Sequence, residues 1–185
     1  MLMKRFLRFL LFALISLVIL GCLVTFMLPS KGQVERDGVI DAPSAVVFAE
    51  LSELKNHPAW NAWAQGQAGQ EIIFSDRTTG PGAYYTWKKK ASSAADGRFD
   101  IVRSEPDSLL SYRLSIRGMP SFDGLFHLSP SADGKSTGIH WHMTFKAGWK
   151  PWWRFYATMV DRLVGPQLET NLTQLKKVCE TKNPS

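Results

Sequence analysis

The 185-residue chain is poor in the residues that staple or metallate small domains. Two cysteines exclude a disulfide scaffold, and four histidines confine any metal site to one small cluster. No internal repeat and no low-complexity tract is present, which excludes solenoid and array architectures. His-Glu-x-x-His, a P-loop and a dinucleotide fingerprint are missing, which removes three sequence-readable enzyme signatures. The first 28 residues contain no acidic side chain, against 22 apolar and three basic ones. Setting them aside lowers the net charge from +6 to +3 (19 basic minus 16 acidic). That balance is too small for a nucleic-acid surface. The remainder has the length of one domain with its own core.

Residues 9–28 run without a charge and span about 30 Å as a helix, the thickness of a bilayer's hydrocarbon layer. Lys4, Arg5 and Arg8 precede the run, and Pro29 directly follows it. Beyond it, Lys31 and Arg36 are offset by Glu35 and Asp37. The charge asymmetry predicts a single-pass anchor over residues 1–30, with a cytoplasmic N-terminus. Residues 31–185 would then form a domain outside the cytoplasm, on the periplasmic face of an inner membrane. A cleaved signal peptide is a rival reading, and so is a lipoprotein, because Ile19-Leu20-Gly21-Cys22 is lipobox-like. Cys22 and Cys179 are expected to remain free thiols. The sequon Asn171-Leu172-Thr173 falls in an expected helix.

Residues 33–40 alternate as a first strand, and Asp41-Ala42-Pro43-Ser44 opens a short helix. Asn56-His57-Pro58 interrupts that helix, and a second short helix or turn carries Trp60 and Trp63. Residues 66–70 form a polar loop. Period-two alternation then predicts strands at 71–75, 83–89, 98–104, 109–117, 122–128 and 137–146. Glycine-, proline- and aspartate-bearing turns separate them, which implies an antiparallel meander. A helix over 152–163 follows, broken by Gly165-Pro166, with a second segment continuing to about residue 181. Leu168, Leu172, Leu175 and Cys179 mark its apolar face. The expected fold is α+β, a curved seven-stranded antiparallel sheet wrapped on a long C-terminal helix.

Several local motifs agree with that order. They include Val39-Ile40-Asp41-Ala42-Pro43, Trp60-Asn61-Ala62-Trp63, Gly80-Pro81-Gly82-Ala83-Tyr84-Tyr85-Thr86-Trp87 and Ser104-Glu105-Pro106. Near the C-terminus stand Gly165-Pro166 and Leu172-Thr173-Gln174-Leu175-Lys176. Over residues 33–181 the chain resembles the START/polyketide-cyclase superfamily, the SRPBCC or helix-grip proteins, and within it the bacterial membrane-anchored members. The resemblance implies a cavity for a hydrophobic or amphipathic small molecule. It does not imply a reaction, since lipid carriers, receptors and cyclases share the fold.

Strand alternation places Tyr85, Trp87, Tyr112, Trp141 and Met143 on one inward face. With Trp60, Trp63, Phe155 and Met159 they form the expected ligand cavity, unless these side chains simply fill the core. His140 and His142 share a strand face, and a turn at Asp133-Gly134 sets His127 opposite His140. This trio is the weak metal candidate, and its alternative is a solvated sheet back. Trp149, Lys150, Trp152, Trp153 and Arg154 interleave indoles with cations, as membrane interfaces and cavity entrances do, unless they are a helix start packed on the sheet edge. Lys88-Lys89-Lys90 reads as a solvated strand end or, alternatively, a lipid-headgroup contact. No cofactor is expected, and the oligomeric state is open. The expected role is membrane-tethered, noncatalytic binding of a hydrophobic or amphipathic molecule, with lipid as one option. A cyclase or dehydrase, or an interaction module with a filled cavity, are the alternatives.

Overall fold

A computed structural model describes residues 2–65, 70–90 and 94–183. Helix α1 (Leu2–Met27) leads into strand β1 (Lys31–Ile40). Helix α2 (Ser44–Ser52), a 3-10 turn (Leu54–Ala59) and helix α3 (Ala62–Gln65) follow. The next six elements are the strands β2 (Gln70–Phe74), β3 (Tyr84–Lys89), β4 (Gly97–Glu105), β5 (Leu109–Ile116), β6 (Phe122–Pro130) and β7 (Thr137–Lys146). Helix α4 (Pro151–Lys182) closes the chain. Of the polar loop expected at 66–70, only Gln70 lies within the described residues, and it opens β2.

The strands form one antiparallel sheet in the order β1-β7-β6-β5-β4-β3-β2. Consecutive hairpins build β2 to β7, and β1 adds at the far side against β7. The inward rows are buried, from Tyr85 on β3 through Phe99, Tyr112 and Phe126 to Trp141 on β7. The register slips once, between Ile101 and Arg103, leaving Val102 exposed. Such a bulge bends its strand and helps the sheet curl around α4. Helix α4 buries Leu168, Leu175 and Cys179 in the core. The Cys179 thiol is pushed up to about 12 by burial, which leaves it inert. Both cysteines are free.

The expected helix break at Gly165-Pro166 does not occur, because α4 is continuous through both residues. Pro166 lies on the exposed side, where water can satisfy the Arg162 carbonyl that its missing N–H leaves free. On the sheet side, Arg36 of β1 reaches across Gly165, where a Cβ would overlap its guanidinium. Its Nη1 meets Asp161 at 2.8 Å and its Nε meets Glu169 at 2.7 Å, so one arginine ties the turns on either side. The sequon is closed as well. Asn171 is buried, and its Nδ2 donates to Asn61 Oδ1 at 3.4 Å.

Candidate functional site

The space between sheet and helix divides into two parts. Around α2 and the 3-10 turn it is filled by aromatic rings. Tyr85 stacks on Phe99 at 5.2 Å between centroids, and Phe99 on Tyr112 at 4.5 Å. The series continues through Phe126 to Trp141, with Trp60 edge-on to both of these. The Trp141 indole donates to the Tyr112 hydroxyl at 2.8 Å. Burial pushes the Tyr85 and Tyr112 phenols well above their ordinary range, so both stay protonated.

Toward the start of α4 the space opens into an apolar groove of about 250 Å³. Leu114 and Ile116 of β5, Phe122 of β6 and Met143 of β7 form its floor. Tyr156, Leu163, Val164 and Gln167 of α4 form its roof, and Trp63 and Met119 close two sides. Met119 is shared with a second, shallower hollow that reaches Trp149, Lys150 and Trp153. The groove's hydrogen-bonding side chains are the Trp63 indole, the Tyr156 hydroxyl and the Gln167 amide. Burial raises the Tyr156 phenol. Among the described residues lining it there is no carboxylate, histidine, cysteine or lysine.

Of the nine residues expected around a cavity, Trp63 and Met143 line this groove. Trp60, Tyr85, Tyr112 and Trp141 belong to the filled aromatic stack, and Trp87 to the buried core beside Tyr85. Phe155 points outward, 61% exposed, and Met159 is half-buried away from the groove. Side-chain volume decides the split: large rings on adjacent inward rows meet and close the interior. Aliphatic residues facing the first half of α4 do not fill theirs.

The interleaved segment meets the end of α1 through Arg154. Trp149 and Trp152 are exposed, while Trp153 tucks against Phe145 and Tyr156. Arg154 Nη1 donates to the carbonyls of Thr25, Phe26 and Leu28 at 3.2, 3.3 and 3.2 Å. These carbonyls lie at a helix C-terminus, where a cation is favourable, and that of Thr25 also accepts from the Leu28 N–H. Arg154→Ala is expected to loosen this joint, and several-fold faster trypsin cleavage after Lys31 would report it. Unchanged cleavage would contradict the capping role.

Three features escaped the sequence reading. His57, taken there as a helix interruption, is fully buried, and its Nε2–H donates to the Leu51 carbonyl at 2.9 Å. Glu50 is buried on α2 and receives Lys182 at 2.7 Å. Gly134-Lys135-Ser136-Thr137-Gly138 spells Gly-x-Ser-x-Gly, the pattern of a nucleophile elbow. It forms the β6–β7 hairpin rather than a strand-to-helix turn, so it supplies no such elbow.

The family model for "Polyketide cyclase / dehydrase and lipid transport" matches residues 31–180. The chain belongs to this family. Among curated proteins, none matches it. Solved structures share its fold at low identity. A Staphylococcus aureus protein of unknown function is 10% identical with a TM-score of 0.60, over 84% of this chain and 97% of that one. An aromatase/cyclase from a Streptomyces strain is 14% identical with a TM-score of 0.56, over 81% and 94%. A Chromobacterium violaceum protein is 13% identical with a TM-score of 0.56, over 80% and 98%. Family membership supports a ligand-binding or cyclase-type function.

Proposed function

We propose that this family member is a membrane-tethered binder of a hydrophobic or amphipathic small molecule, held between α4 and strands β5 to β7. The observation that carries the reading is the open apolar groove beside an otherwise filled interior. Its volume is below the roughly 300–1,000 Å³ usual for ligand pockets, so it suits one alkyl chain or a small ring system. A whole diacyl lipid would not fit. Binding is favoured over cyclisation because general acid–base chemistry needs titratable partners, and among the described residues that line the groove Tyr156 is the only such group.

Tethering rests on the stretch Arg5–Met27, whose most apolar 18-residue window has a mean hydropathy of 2.8 and whose length is sufficient to cross a bilayer. Its basic flank favours a cytoplasmic N-terminus and a domain outside the inner membrane. Trp149 and Trp152 would then sit at the headgroup level. The shallow hollow beside them leads through Met119 to the groove, giving an amphipathic molecule a route from the bilayer.

The test uses residues 31–185 and cis-parinaric acid as a fluorescent probe. Relatives whose chains are matched almost end to end by this domain indicate that it folds alone. Saturable binding is expected, weakened at least tenfold when Ile116→Phe and Val164→Phe together fill the groove. No binding, or equal binding by the filled variant, would overturn the reading. For the tether, the full chain should stay with membranes after alkaline carbonate extraction, and its release would reject an integral anchor.

A further inference from the structure

The face of the sheet turned away from α4 carries a second constellation, unrelated to the groove. The β1–β7 register sets Glu35 opposite His142 and Asp37 opposite His140. Period-two alternation puts all four on the outer face. His142 Nδ1 lies 2.8 Å from Glu35 Oε1, and His140 Nδ1 lies 2.7 Å from Asp37 Oδ1. One donor atom each from Glu35, His140 and His142 falls within 4.8 Å of the others. A tetrahedral ion with bonds of about 2.0–2.1 Å needs its donors roughly 3.3 Å apart. Rotation of half-exposed side chains covers that difference.

We infer that Glu35, His140 and His142 form a binding site for a divalent transition metal. Each ring is already oriented by an outer partner. Asp37 accepts Nδ1–H from His140, which leaves Nε2 as a lone-pair donor. Thr144 Oγ1 stands 2.9 Å from His142 Nε2 and accepts its proton, which leaves Nδ1 for the ion. Carboxylate- or hydroxyl-held imidazoles of this kind are the usual second layer of a metal site. The ion would stand between His142 Nδ1 and Glu35, in place of their direct 2.8 Å contact. Two imidazoles and one carboxylate favour zinc, nickel or copper(II) over magnesium or calcium. His127 lies directly across from His140 and can approach the fourth position, which water otherwise takes. The histidine trio read from sequence is thereby recast: Glu35 replaces His127 as the third ligand.

The test is calorimetric titration of the full-length, tag-free protein in detergent micelles with ZnCl₂, and visible absorption with CoCl₂. One equivalent of each is expected to bind, with cobalt bands of four- or five-coordinate geometry. His142→Ala and Glu35→Gln should each weaken zinc binding at least tenfold. Asp37→Asn should weaken it by about 10–100-fold while keeping the stoichiometry and the cobalt spectrum, as expected of a residue that positions a ligand. Metal-free thermal melts establish that each variant is folded. The proposal fails if the wild-type protein binds no zinc, or if a folded His140→Ala/His142→Ala double variant binds it equally well. In either case the four side chains serve as hydrogen-bonded cross-strand pairs joining β1 to β7.

Discussion

Replacing Gly124 with alanine is expected to lower the melting temperature by roughly 6–12 °C. A Cβ at Gly124 would overlap the Tyr112 ring, which lies across the glycine from the neighbouring strand. That ring has nowhere to go. Phe99 stacks on one side at 4.5 Å, Phe126 tilts against it at 5.4 Å, and its hydroxyl holds the Trp141 indole. Overpacking a core costs about 1–3 kcal/mol, and the crowding here argues for the upper end. For a domain of this size each kcal/mol moves the midpoint by about 2–4 °C. Removing the ring should remove the penalty, so Gly124→Ala is expected to be far milder in a Tyr112→Leu background. Additive effects of the two substitutions, or a single variant melting within about 2 °C of the wild type, would contradict the account.

Acidification should destabilise the protein through His57. Burial among Trp60, Tyr85 and Phe99 lowers its pKa to about 4, against the weaker opposing effects of its bond to Leu51 and the nearby Glu53 charge. The unfolded value is about 6.5. Between these two values the unfolded chain takes up a proton that the native state refuses, so stability rises with pH across this window. The contribution is fully present above about pH 6.5 and falls away as the pH drops toward 4. The loss amounts to about 3 kcal/mol, at 1.36 kcal/mol per pKa unit. Chemical denaturation at pH 7 and pH 4 measures it, with His57→Gln as the reference that cancels the carboxylates' own titration. The wild-type protein should lose about 3 kcal/mol more than the variant over that interval, and parallel losses would exclude His57 as the source.

The strands were legible because alternation and turn chemistry are local. Residues 137–146 were placed to the residue, and the other strands within two residues at each end. What escaped the sequence depends on contacts between distant segments. The break at Gly165-Pro166 is a sound inference from local propensity, and an arginine more than a hundred residues away overrides it. Glu35 and Asp37 read as charges offsetting the anchor's flank. Only the β1–β7 register shows them as partners of His140 and His142. His57 looked like punctuation because nothing local signals that three rings will enclose it. The inward aromatic rows were correctly grouped, but the sequence could not say which part of the interior they would fill. That outcome depends on ring-on-ring contact between neighbouring strands.

The clasp formed by Arg154, Arg36 and Lys182 bears on how the groove could widen. Helix α4 is about 48 Å long at 1.5 Å per residue. It is fastened to α1 at its start, to β1 near its middle and to Glu50 at its end. Three fixed points make it a stator. The opposite wall ends in the β5–β6 hairpin, where Gly118 has φ +81° and Met119 overhangs the groove. Under the proposed binding role, that hairpin is expected to act as the flap. A guest larger than the resting groove would enter by lifting Met119, with the helix and its attachment to α1 held still.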